Sequence, residues 1–94
     1  EWGKYPEAAD KFRQALQIDP RFIDAHMNLG SVYGTLKDYT NAIASFQNAI
    51  NYAPDHARAY FFIAITYQNM GDKTNADKYF QMAQRRDPQL VKPK

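Results

Sequence analysis

The stretch NAIASFQNAINYAP, residues 41–54, has two near-copies in the same chain, EAADKFRQALQIDP at 7–20 and NADKYFQMAQRRDP at 75–88. Aligned without gaps, they keep four positions in step: Ala8, Ala42 and Ala76; Phe12, Phe46 and Phe80; Ala15, Ala49 and Ala83; Pro20, Pro54 and Pro88. The spacing is 34 residues throughout. A fixed period of this length marks a chain assembled from stacked supersecondary units, each unable to bury its apolar face alone. A second pattern repeats at the same distance, with Leu29 returning as Ile63, Tyr33 as Tyr67 and Leu36 as Met70.

Each unit reads as two helices. Over about 22–36, Leu29, Val32, Tyr33 and Leu36 recur at three and four, and over about 57–70 Tyr60, Ile63, Ala64 and Tyr67 do the same. That is the apolar stripe of an amphipathic helix. A second set of helices runs from about Pro6, Thr40 and Thr74 up to each periodic proline. Pro6 suits a first turn, where its missing N–H leaves no bond unmade, and Pro20, Pro54 and Pro88 mark stops because the residue before a proline avoids the α region. The joints LKDY (36–39) and MGDK (70–73) are long enough only for an antiparallel hairpin. The fold class is therefore all-α, an α-α superhelix of antiparallel helix hairpins with five helices and about two and a half units.

At these positions the chain resembles the tetratricopeptide repeat. His26, Leu29, Gly30 and Tyr33, then Ala42, Phe46, Ala49 and Pro54, follow the family's spacing, with His26 where Trp or Tyr is usual. Tyr60, Ile63, Ala64, Tyr67, Gly71, Ala76, Phe80, Ala83 and Pro88 follow it again. Lys37 replaces the turn glycine supplied elsewhere by Gly3 and Gly71, and Lys73 replaces the aromatic found as Tyr5 and Tyr39. The domain reading is a single array: 1–22 the second helix of an incomplete repeat, 23–56 a full repeat, 57–90 a full and terminal repeat, 91–94 a tail.

Composition narrows the function classes. The chain has 94 residues, with 12 Lys and Arg against 10 Asp and Glu, a net charge of +2. The two signs are mixed, which is not the basic footprint of a nucleic-acid binder. No cysteine is present, so thiolate chemistry and thiolate metal sites are excluded. No apolar run approaches the roughly 18 residues of a membrane span, and EWGKYPEAAD does not read as a signal peptide. The expectation is a soluble chain, with the cytoplasm the favoured compartment. His26 is expected to be a partly buried packing residue and His56, beside Asp55, a surface residue at a helix start. Two histidines without a third ligand make no zinc site. No nucleophile–base pair, phosphate loop or carboxylate dyad appears, so no catalysis, no metal and no cofactor is expected.

The two ends of the array differ. The outward positions of the second helices read Ala9, Leu16 and Ile18, then Ile43, Ile50 and Tyr52, and finally Asp77, Gln84 and Arg86. Apolar positions there should bury against the next repeat, and the polar third set marks an end that meets water. At the other end Ala8, Phe12 and Ala15 lack the first helix that should cover them. Either the chain is a fragment of a longer array, or another chain supplies the cover by self-association. Arg85, Arg86, Lys92 and Lys94 form a basic tail that needs no function.

The resemblance implies a concave groove lined by the first helices, holding an extended or helical segment of a partner protein. Carried over, its positions are Asp24, Met27, Asn28, Ser31 and Thr35, then Arg58, Phe61, Phe62, Ile65 and Asn69. Phe61 and Ile65 fall off the packing stripe and are expected to face a partner with apolar side chains, with Arg58 as an anion contact. A family variant clamps a C-terminal carboxylate with Lys and Asn. Asn28 and Arg58 stand at two of its positions, but Phe62 replaces a basic residue, so the clamp is disfavoured.

Overall fold

In the computed structural model, which describes residues 4–90, the chain runs through α1 (Lys4–Ile18), α2 (Ile23–Thr35), α3 (Tyr39–Tyr52), α4 (Ala57–Asn69) and α5 (Lys73–Arg86). Each helix packs on its neighbours in the chain, so α2–α3 and α4–α5 are hairpins and α1 lies against α2. Gly3, Lys92 and Lys94, singled out above, lie outside the described residues. Each stop falls two residues before its proline, and the capping N–H of Asp19, Ala53 and Asp87 donates back to Ala15, Ala49 and Ala83 at 2.8–2.9 Å. Among the described residues no helix is long and apolar enough to cross a membrane.

The joints inside the two hairpins close in the same way. Asp38 N–H donates to the Tyr33 carbonyl at 2.8 Å and Lys37 N–H to that of Gly34 at 3.0 Å; Asp72 to Tyr67 and Gly71 to Gln68 repeat the pattern at 2.9 and 3.0 Å. This Schellman closure requires a left-handed residue at its centre. Gly71 takes φ 84° and Lys37 takes φ 61°. The turn geometry that Lys37 placed in question is thus kept, with a side chain where glycine is unstrained. The following aspartates start the next helices: the carboxylates of Asp38 and Asp72 accept from the amides of Asn41 and Asn75 at 3.4 and 3.1 Å and from their side-chain Nδ2 at 2.7 Å. A cap of this kind is worth about 1 kcal/mol.

Packing follows the period. Ala42, Ala49, Ala59, Ile63, Ala64 and Ala83 are wholly buried, and Phe46 and Phe80 nearly so. Small residues let the helices of a pair approach: a Cβ on Gly30 would lie 2.6 Å from Cε1 of the Phe46 ring. The outward positions Ala9, Leu16, Ile43 and Ile50 pack against the next repeat, as expected. Ile18 does not, being 88% exposed. Its period mates explain why. Tyr52 stacks on His26 with centroids 6.0 Å apart, and Arg86 covers Tyr60 at 3.9 Å. This position covers a ring of the preceding first helix, and among the described residues no such ring stands beneath Ile18. Arg86 is exposed, as a residue at this end should be, yet its side chain is also held: it donates to the carbonyls of Pro54 and Met82, each at 3.0 Å. Gln84 is exposed and Asp77 half-buried.

Phe12 and Ala8 are also not bare. Both are half-buried against the Leu29–Val32 cluster of α2. They remain less covered than their mates Phe46 and Ala42, and half-buried Ala15 less than Ala49. Arg13 bridges α1 to α2, donating to the Tyr33 hydroxyl at 2.7 Å and pairing with Asp10. Those two hydrogen bonds, Asp10 first, raise the Arg13 pKa and keep its charge fixed.

Candidate functional site

The first helices α2 and α4 lie side by side, and their shared face carries two adjoining hollows. One, of about 320 Å³, is bordered by Asp24, Met27, Asn28 and Ser31 of α2 and by His56, Arg58 and Phe62. The other, of about 270 Å³, is bordered on α2 by Gly30, Ser31, Gly34 and Thr35, on α4 by Phe62, Ile65, Thr66 and Asn69, and by Tyr39 and Phe46 behind them. Ser31 and Phe62 belong to both, so the hollows form one furrow along the two helices. Phe62 is half-buried and stacks on Phe46 with centroids 5.7 Å apart, which fixes the ring at the centre.

Of the residues expected to line the groove, Asp24, Met27, Asn28, Ser31, Arg58, Phe62, Ile65 and Asn69 all border one hollow or both, and Thr35 joins them. Met27 does so from within the core, at 9% exposure. Phe61 borders neither. Its ring meets Phe80 of α5 edge-on at 5.6 Å and Phe62 at 6.1 Å, so the α4–α5 hairpin does use it. The sequence stripe counted only positions facing α5 squarely; a large ring beside that stripe still reaches a neighbouring large ring. Ile65 is intermediate, packing on the Ala64–Ala76–Phe80 cluster while bordering the second hollow.

The polar chemistry lies at one end. Asp24 stands in the first turn of α2, where the helix dipole favours an anion. Arg58 occupies the first turn of α4, where the dipole does not favour a cation, and it makes no ion pair among the described residues. His56 precedes it as an N-cap whose side chain accepts no capping bond. At the other end Thr35 and Thr66 donate to the carbonyls of Ser31 and Phe62 at 3.0 and 2.7 Å, so both hydroxyl protons are engaged within their own helices. No three His, Asp or Glu side chains cluster as metal ligands among the described residues. His26 is buried in the core rather than half-buried, its Nε2 donating to the Pro20 carbonyl at 2.8 Å while Nδ1 lacks a partner.

Gly34 and Thr66 border the furrow without having been singled out, and His56, expected only as a surface residue, borders it half-buried. A glycine four residues after Gly30, one turn further along α2, was the available signal for Gly34.

Comparison with known proteins agrees with the repeat geometry. A family model described as a tetratricopeptide repeat matches residues 22–89, and a second, described as a TPR repeat, matches residues 1–37. No curated protein matches the chain significantly. Among solved structures, one of MamA is similar with a TM-score of 0.87 and 28% identity, covering 90% of this chain and 50% of that one. A second MamA structure gives 0.85 and 26%, covering 96% and 52%. PcrH, solved in complex with the chaperone-binding region of PopD, gives 0.85 at 22% identity, covering 94% and 66%. The chain thus spans about half the length of MamA.

Proposed function

The chain belongs to the tetratricopeptide-repeat family, and on that premise we propose that it is a protein-interaction module that holds a segment of a partner protein in the α2–α4 furrow, and that it performs no catalysis. The observation that carries this reading is the continuity of the two hollows through Ser31 and Phe62, on a face that neither hairpin closes. The furrow offers half-buried apolar groups, Phe62 and Ile65, beside a charged end at Asp24 and Arg58. That combination suits a segment with apolar side chains and polar flanks. PcrH has the same fold and a bound PopD region; that complex describes PcrH, and the proposal rests on the furrow of this chain. The repeat units are taken as 23–56 and 57–90, with α1 as the second helix of an earlier unit.

The test is selection of random displayed peptides on the whole chain, followed by affinity measurements on Asn28→Ala, Arg58→Ala and Phe62→Asp. Enriched peptides should weaken at least tenfold on Phe62→Asp, since anchoring side chains commonly carry about 2 kcal/mol or more. Arg58→Ala should act mainly at low salt. Enriched peptides that bind all three variants equally would rule out the furrow.

A second reading is favoured by the partial exposure of Phe12 and Ala15 relative to Phe46 and Ala49. On it, the Ala8–Phe12–Ala15 face stacks against a further helix, from another copy of the chain or from a longer polypeptide. Solution mass across concentration, with Phe12→Ser as control, distinguishes self-association from a strictly monomeric chain.

A further inference from the structure

Two glycines of α2 border the furrow, and packing accounts for only one. Gly30 is required by the Phe46 ring, which leaves no room for a Cβ. At Gly34 a Cβ would meet no atom within 4 Å. Its backbone does not require glycine either, since its φ is not positive. Glycine within a helix loses more backbone freedom on folding than any other residue, so α2 itself would be better served by almost any side chain. What glycine leaves at this position is open space, the mouth of the 270 Å³ hollow over Phe46 and Phe62. That volume exceeds the roughly 150 Å³ of an apolar cavity able to take a benzene ring.

The walls of the hollow select by charge. None of the side chains bordering it carries a formal charge at neutral pH, and the Thr35 and Thr66 hydroxyls already donate within their own helices. A charged side chain entering it would give up water for the neutral polar groups of Ser31, Tyr39 and Asn69 alone, with no opposite charge to meet it. Charge is answered only at the other end, by Arg58 and Asp24. Arg58 has no ion pair among the described residues and sits at the positive end of the α4 dipole, so a carboxylate arriving there meets both. Arg58 and Ile65 are seven residues apart on one helix, about 10 Å, which about three residues of extended chain span.

We infer that the hollow beside Gly34 is the anchor pocket of the furrow, taking one bulky uncharged apolar side chain of an extended partner peptide that places an acidic residue about three positions away against Arg58. This deepens the furrow reading and rests on it. Gly34 is the residue that keeps the pocket open.

Displayed random peptides selected on the whole chain, resynthesised and titrated, test it. Enriched peptides should pair a Leu-, Ile-, Met- or Phe-type residue with Asp or Glu at that spacing. Gly34→Leu should lower their affinity about tenfold without lowering the melting temperature, because a Cβ there meets no atom within 4 Å and leucine suits a helix better than glycine does. Truncating the anchor residue to alanine should cost the same on wild type and almost nothing further on Gly34→Leu. Gly34→Ala, a smaller plug, should give a smaller loss, and it carries the test if the leucine variant does not fold. Peptides that lose binding on Phe62→Asp but keep it on both Gly34 variants would overturn the pocket and leave the furrow standing. Absence of any enriched peptide would overturn both. Enrichment of a charged anchor, or self-association of the chain abolished by Gly34→Leu, would overturn the assignment of the occupant.

Discussion

Arg86 lies over the ring of Tyr60, its guanidinium carbon 3.9 Å from the ring centroid, and both side chains donate to one acceptor, the Pro54 carbonyl, at 3.0 and 2.9 Å. The last turn of α5 is thereby fastened to the first turn of α4 and to the loop before it. Cation–π contacts at exposed sites are worth about 0.5–1 kcal/mol and a typical hydrogen bond about 1 kcal/mol. Arg86→Ala should therefore lower stability by about 1–2 kcal/mol, several degrees of melting temperature for a chain of this size. Arg86→Lys should recover part of that, since the charge remains but the planar fork does not. In a double-mutant cycle with Tyr60→Phe the two losses should be non-additive; strict additivity would mean that the shared carbonyl does not couple them.

One period earlier the same place is filled less completely. His26 donates to Pro20 as Tyr60 does to Pro54, but its Nδ1 is buried without a partner. The carbonyl can only accept, so Nε2 carries the proton. His26→Tyr should reproduce the Tyr60 arrangement and remove the unmatched nitrogen, raising stability by about 1 kcal/mol. A lower melting temperature would show that the larger ring does not fit under Tyr52.

Lys37 holds a left-handed conformation that Gly71 holds without strain one period later. The left-handed region costs a residue with a Cβ roughly 1–2 kcal/mol, partly offset by the greater freedom glycine has when unfolded. Lys37→Gly should stabilise by roughly 0.5–1 kcal/mol, and Gly71→Lys should destabilise by a similar amount or more. Chemical denaturation of the pair measures both signs.

What the sequence made legible was whatever the period enforces. Helices, hairpin joints and the alanine–phenylalanine contacts recur because each repeat solves the same packing problem, so three copies vote on the second helices and two on the first helices and the joints. The furrow positions came instead from the resemblance to the family, whose groove positions were carried over; the period by itself does not say which face binds. Phe61 was assigned to the furrow because it falls off the packing stripe, whereas its ring turns to Phe80 and borders neither hollow. Ile18, Tyr52 and Arg86 were misread as one face because a 34-residue register gives direction but not depth: the position covers a ring of the preceding first helix, not the next repeat. Gly34 carried no periodic signal, since Gln68 stands at its mate.

Tyr67 titrates against its surroundings. Burial, then the neighbouring Tyr79 and Asp72, raises its pKa above the ordinary tyrosine value of 10.0. The neutral phenol is therefore the form the fold prefers. Its contribution to stability is fully present below pH 10 and is lost as pH rises through the raised folded value. Melting temperatures measured from pH 8 to about pH 11 should fall at the alkaline end, and Tyr67→Phe, which cannot ionise, should fall less steeply. Parallel curves for the two proteins would assign the alkaline loss to other groups.

Phe61 and Phe62 are adjacent in the chain and serve different faces, which a pair of substitutions separates. The rings of Phe46, Phe62, Phe61 and Phe80 form a continuous row, with successive centroids 5.6–6.1 Å apart, that crosses from one hairpin to the next. Removing a fully buried Phe costs about 3–5 kcal/mol. Phe61 is half-buried, so Phe61→Ser should cost roughly 2–3 kcal/mol and lower the melting temperature by ten degrees or so. Affinity for a furrow-binding peptide, measured at a temperature where the variant is still folded, should change little, because Phe61 borders neither hollow. Phe62→Ser should weaken both, losing the Phe46 stack and the centre of the furrow together. A Phe61→Ser protein that melts like wild type but no longer binds would return Phe61 to the binding face and take the packing role away from it.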